Sequence, residues 1–225
     1  MHIEPGLVDA AKITLSYGTA AAAATASAKV ALDHIRAEGA ASLAVRSMIA
    51  TALVFVFFEV LPHVAVGVSE VHLIMGTTLL LLLGTAPAAV GLAAGLAIQG
   101  LFFAPADLPQ YALNVTTLLA PLFAIHLLAR RVVPSTTTYV DLGYAQVLKL
   151  SVAYQGGIVA WVAFWAIYGQ GFGAQNLASV GSFGLAYMTV VLLEPLVDLG
   201  ALAIAKALRD RPVMGLFSRR LFAAA

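Results

Sequence analysis

QYALNVTTLLAPLFAIHLLA, residues 110–129, followed at once by Arg130-Arg131, decides the fold. A helix rises 1.5 Å per residue, so about twenty apolar residues cover the roughly 30 Å hydrocarbon core of a bilayer. The two arginines end the run at a charge that lipid does not tolerate. Working outward, the pattern recurs. Residues 144–168 form a second long apolar run, closed by the glycine-rich turn Gly169 to Gly173. Residues 177–208 form a third and end in a basic tail. Upstream, 88–104 stops at Ala104-Pro105 and 47–61 stops at Leu61-Pro62.

Composition agrees. Of 225 residues, 61% are hydrophobic and 10% charged, where a soluble domain carries roughly 25%. Mean hydropathy is +0.95. The expected fold is an all-α membrane protein of about seven transmembrane helices: 8–32, 47–61, 72–84, 88–104, 110–129, 144–168 and 177–208. The third is short for a full span. A polar segment, 1–7, precedes the bundle, which covers 8–208, and a basic tail, 209–225, follows it, all in a single domain over 1–225. Residues 33–46 and 132–143 read as polar loops and 62–72 as an irregular stretch. With the N-terminus outside and the C-terminus cytoplasmic, eleven of the twelve basic residues, all but Lys12, fall on the cytoplasmic side, the bias expected of an inner-membrane protein.

Several function classes drop out. A net charge of +1 leaves no nucleic-acid footprint, and the absence of cysteine excludes disulfides, iron–sulfur clusters and thiolate zinc sites. Gly169-Gln170-Gly171-Phe172-Gly173 lacks the Lys-Ser/Thr of a phosphate loop. No nucleophile–base–orienter set is visible. The chain is therefore expected to be neither an ATPase nor a hydrolase by itself, to use no organic cofactor, and to draw energy from a partner or a gradient.

The chemistry that remains lies at the start. In Met1-His2-Ile3-Glu4, a free amine, the His2 amide nitrogen and the His2 imidazole can close five- and six-membered chelate rings on one ion. Three nitrogens then lie in a plane with a fourth corner open, which suits Ni(II), Cu(II) and Co(II) better than Zn(II), Mg(II) or Ca(II). No basic n-region or cleavage site is visible, and His2 is too bulky for removal of Met1, so Met1 is expected to be the mature start. The plain alternative is a frayed terminus. His72 falls on the same side of the membrane, where irregular chain enters the third helix. Such backbone survives at membrane depth only when buried in protein or lining a polar cavity, which makes His72 the candidate fourth ligand. His63 reads as interfacial, His34 as solvated and His126 as structural.

Gln99 and Asn114 are amides in apolar helices. They can orient a metal-bound imidazole or bond between helices. Glu194 and Asp198, one turn apart with Pro195 between them, are paired, protonated or at a contact surface. Ala20, Ala24 and Ala28, with Gly18, Ala22 and Ala26, form small-residue rows that let helix backbones approach in lipid. They fit an ordinary bundle contact or a docking face for a second membrane protein equally.

Met1-His2-Ile3 with Gly6, and Gly67-Val68-Ser69-Glu70-Val71-His72-Leu73, resemble the CbiM/NikM family, the substrate-binding (S) components of cobalt/nickel energy-coupling factor transporters. Gln99 to Phe103 and Ala112-Leu113-Asn114 resemble family segments too. The resemblance implies a seven-helix permease whose N-terminus tucks into the bundle. It implies Ni(II) or Co(II) as transported substrate, held by the Met1 amine, the His2 amide and imidazole, and His72, with Asn114 nearby. It further implies a transmembrane coupling (T) subunit and ATPase (A) subunits as partners, the former meeting Ala20, Ala24 and Ala28. Glu4-Pro5-Gly6 departs from the family's Pro-Asp-Gly. Glu70 adds an acid two residues before His72, where it can act on the ligand from behind. Two other readings remain: a metal-free membrane assembly subunit, and an S component for an organic solute contacting Gln99, Asn114 and Tyr154.

Overall fold

The structure, a computed structural model, describes residues 3, 4, 6–209 and 215–224. Helix dominates. In chain order come α1 (Thr14–Glu38), α2 (Ala40–Phe55), α3 (Gly76–Leu83), α4 (Thr85–Phe102), α5 (Tyr111–Val132), α6 (Tyr144–Gln170), α7 (Ala174–Ala207) and the short α8 (Arg219–Phe222). A π-helical turn, Val56–Val60, extends α2, and a 3-10 turn, Pro105–Gln110, leads into α5. Five described helical segments are long and apolar enough to cross a membrane: Ala40–Val60, Thr85–Phe102, Pro105–Val132, Tyr144–Gln170 and Ala174–Ala207.

The first helix is displaced from its expected position. It starts at Thr14 instead of residue 8 and runs on to Glu38, so 33–46 is not a loop. The charges there were misleading because they sit on a helix surface at helical spacing, as in Lys29–Asp33 (3.4 Å) and Arg36–Asp33 (3.7 Å). Only Gly39, at φ 89°, breaks the chain before α2. Across that corner Arg46 bonds Glu38 at 2.8 Å, and the half-buried His34 contacts Ser42 Oγ at 3.2 Å. His34 is thus part of a packed corner, not a solvated loop. His126 Nδ1 meets Thr85 Oγ1 at 2.7 Å, joining α5 to the start of α4.

Close packing rests on glycine where helices cross. A Cβ on Gly91 would lie 2.3 Å from Ala50 Cβ, and one on Gly95 would lie 2.4 Å from Val54 Cγ1. Residues four apart on α4 thus seat against residues four apart on α2, the small-residue contact that membrane helices favour. The expected row on α1 is used less: Ala20 is half-buried, while Ala24 and Ala28 are exposed.

The expected irregular stretch contains a small hairpin. β1 (Val64–Val66) pairs antiparallel with β2 (Ser69–Val71). Gly67, at φ 63°, takes the left-handed first position of the two-residue turn. Ile3 adds an antiparallel bridge to Ser69. α3 is shorter than expected because residues 72–75 stay non-helical before it.

The charged ends are sorted. Lys206 and Arg209 pair with Asp141 (2.8 and 3.3 Å), Arg46 reaches the Gly215 carbonyl, and Arg220 donates to the Pro134 carbonyl (2.9 Å). At the other end of α1, Lys12 donates to the Gly169 carbonyl (2.8 Å), beside the hairpin end of the bundle.

Candidate metal centre

His72 leaves β2 and starts the non-helical lead into α3. It is 1% exposed. Its backbone carbonyl accepts from Tyr187 Oη of α7 at 3.3 Å, which satisfies a group that the missing helix would otherwise have bonded. Three residues on, Met75 is left-handed (φ 60°, ψ 30°) and buried. A left-handed residue with a Cβ costs about 1–2 kcal/mol, and packing on all sides holds it there. Gly76 follows with the Tyr154 ring so close that a Cβ would lie 2.1 Å from it. Tyr154 is fully buried, with its hydroxyl directed at the Leu118 carbonyl (3.5 Å).

The imidazole is enclosed by other side chains. Its Nε2–H donates to Glu70 Oε2 at 2.9 Å. The Phe58 ring centroid lies 5.4 Å away, and His63 stacks on it at 4.8 Å with 13° between planes. A carboxylate on Nε2 fixes the tautomer so that Nδ1 carries the lone pair, the arrangement used behind metal-binding imidazoles. The neutral ring, with its proton on Nε2, is the form a ligand must take.

The chain start is fastened to the same hairpin. Ile3 is 0% exposed. Its N–H donates to Asn114 Oδ1 of α5 at 3.0 Å, and the Glu4 N–H donates to the Val68 carbonyl at 3.2 Å. Met1 and His2, the proposed chelate, lie outside the described residues, as does Pro5. Among the described residues no three His, Asp or Glu side chains converge on a metal position. A chelate of the expected kind needs only His72 from them.

Of the other candidate residues, Glu70 is on His72, while Asn114 accepts from the Ile3 backbone N–H. Gln99 is buried in α4 with Oε1 unpartnered, and no hydrogen bond joins it to His72 or Asn114. Phe58, His63 and Tyr187 were missed as neighbours of His72. His63 had one readable signal, a second histidine nine positions before His72 and beyond a Pro62 helix stop. Phe58 and Tyr187 had none. Two cavities adjoin this end. One of about 310 Å³ is bordered by His63, His72, Thr189 and Leu193. The other, about 530 Å³, is bordered by Glu4, Gly67, Gln170, Gln175, Asn176 and Ser179.

Five long apolar helical segments, with a buried, carboxylate-backed histidine at one end of the bundle, define a multi-pass membrane protein. A family model described as the cobalt uptake substrate-specific transmembrane region, CbiM, matches residues 2–212, and the chain belongs to that family. No curated protein and no solved structure matched the chain.

Proposed function

We propose that this chain is the substrate-specific S component of an energy-coupling factor transporter and captures Ni(II) or Co(II) on the outer side of the cytoplasmic membrane. The Met1 amine, the His2 amide nitrogen, the His2 imidazole and His72 hold the ion in a plane, and Glu70 steadies His72 from behind. The observation that carries this reading is the Ile3–Ser69 bridge. Because it is antiparallel, the direction N-terminal of Ile3 is the direction in which β2 runs to His72. Asn114 and Val68 hold residues 3 and 4 in that register.

The seven crossings of this reading include α1 and the 72–83 segment. Four non-helical residues at about 3.3 Å each and the 8 residues of α3 at about 1.5 Å each span roughly 25 Å. This approaches the bilayer core of about 30 Å. The whole chain acts as a single domain, with N-terminus outside and the basic end in the cytoplasm. T and A subunits supply the energy, the T subunit meeting α1 at Ala20, Ala24 and Ala28.

The test is calorimetry of nickel and cobalt binding in detergent. One residue added before Met1, or His2→Ala, removes high-affinity binding while leaving the fold intact. Unchanged affinity in the extended protein overturns the proposal.

A further inference from the structure

We infer that Glu194 and Asp198 form a proton-binding site inside the bundle, in which at least one carboxyl stays protonated at neutral pH and its proton closes α7 onto α3 and α6.

The two acids are one turn apart on α7, so their Cβ atoms are about 5–6 Å apart on one face. They are 0% and 1% exposed. Their partners are all neutral. Glu194 Oε2 accepts from Ser151 Oγ at 3.2 Å and from Gln155 Nε2, both on α6. Asp198 Oδ1 accepts from Thr78 Oγ1 of α3. Among the described residues no lysine, arginine or histidine pairs with either acid. The titratable groups beside Glu194 are Tyr154 on α6 and Tyr187 on α7, both neutral phenols; α3 contributes Thr77 and Thr78 and no ionisable side chain.

The remaining polar atoms point to the missing species. Glu194 Oε1, Asp198 Oδ2 and Gln155 Oε1 are buried without a hydrogen-bond partner, and so is the Thr77 hydroxyl. Gln155 is itself fully buried, with its amide held against Glu194. Three of these atoms are acceptors whenever the acids are ionised. A proton on one carboxyl converts an acceptor into a donor and removes a negative charge from a pair that cannot both stay ionised in a buried site. A metal ion would need a fuller shell of oxygen ligands than two carboxyls supply, whereas a proton needs neither a shell nor a void. Pro195 takes one intrahelical donor out of this same turn, so the acids' contacts to α3 and α6 add to the apolar packing that fixes α7 here. Loss of the last proton leaves two adjacent buried charges, more than Ser151, Gln155, Thr78 and the Thr77 backbone N–H can offset, and compensation by water or a counter-ion requires α7 to part from α3 or α6. Protonation and closed packing are thus linked.

Infrared difference spectroscopy of the purified full chain in detergent at neutral pH tests this. The wild type should show a protonated-carboxyl carbonyl stretch that shifts in heavy water. Glu194→Gln with Asp198→Asn should remove it. Thr78→Val and Ser151→Ala, which keep shape and lose one hydrogen bond each, should shift its frequency, and they keep the test sound if the double variant does not fold. A wild type with carboxylate bands only, or a carbonyl band unmoved in all of these variants, overturns the inference.

Discussion

Replacing Asn114 with alanine removes the acceptor for the Ile3 N–H, a 3.0 Å hydrogen bond between buried groups. Water does not reach the Ile3 amide, since Ile3 is 0% exposed. The loss therefore has the cost of a buried donor left unpaired, about 1–3 kcal/mol. If residues 1 and 2 bind metal only when residue 3 is seated, a lower seated fraction raises the apparent dissociation constant in proportion. Carried wholly into binding, 1–3 kcal/mol corresponds to about 5- to 150-fold weaker affinity. Isothermal calorimetry with nickel and with cobalt reads that change, and a thermal melt in detergent reads the fold separately. Asn114→Asp keeps an acceptor oxygen at the same place and should recover most of the affinity. The reasoning fails if Asn114→Ala lowers the melting temperature yet binds both metals as tightly as the wild type. Asn114 would then be an ordinary packing residue with no part in placing the chain start.

Three other outcomes follow from the same geometry. Metal affinity should fall on acidification, because protons compete with the ion for the chelating nitrogens; calorimetry at successively lower pH reads the change, and an affinity independent of pH would remove those nitrogens from the site. Gly91→Ala places a Cβ 2.3 Å from Ala50 Cβ and 2.8 Å from its backbone carbon, an overpacking that should cost about 1–3 kcal/mol in a thermal melt, whereas Gly181→Ala, with open space around it, should be neutral or stabilising. Ala24→Leu adds bulk to an exposed face of α1 and should leave folding and metal binding intact while reducing co-purification of the T subunit; undiminished recovery of that subunit would remove α1 from the docking surface.

What was readable in the sequence was whatever a single long apolar run encodes. Tyr144–Gln170 lies within two residues of its expected limits, because glycines close it at both ends. Tyr111–Val132 was legible for the same reason, its arginines being the last turn of the helix instead of the residues beyond it. Reading failed where composition and conformation part company. Asp33 to Glu38 are polar but helical, since charge sets the depth of a helix in a membrane and does not end it. The strands at Val64–Val66 and Ser69–Val71 are three residues each, too short for an alternating pattern to register. His72 could be singled out because a histidine next to an apolar helix is costly wherever it sits. Its surroundings could not. Tyr187 is 115 positions away and Asn114 is 111 from Ile3, and no local pattern carries pairings of that range.

The conformation around His72 bears on how one histidine could complete a chelate formed by a chain end. A tripodal chelate at the start of a chain loses backbone freedom when it closes, on the order of 1–2 kcal/mol for each residue fixed. If the fourth ligand also had to be ordered, that loss would grow. Here the proposed fourth ligand, His72, is held in place by protein contacts. Met75 is kept left-handed, the Tyr154 ring closes on Gly76, Tyr187 takes the His72 carbonyl, and Glu70 sets the ring tautomer. The strain at Met75 is compensated by the packing around it and not by the ligand. Ile3, in turn, is pinned to β2 and α5 by protein contacts. Each of these features has a cost in isolation, and together they move the entropy of binding into the folding of the bundle. Such preorganisation would raise affinity without a new metal contact, and under the proposed function it gives a hairpin whose first strand is largely exposed a role that its contribution to the core does not explain.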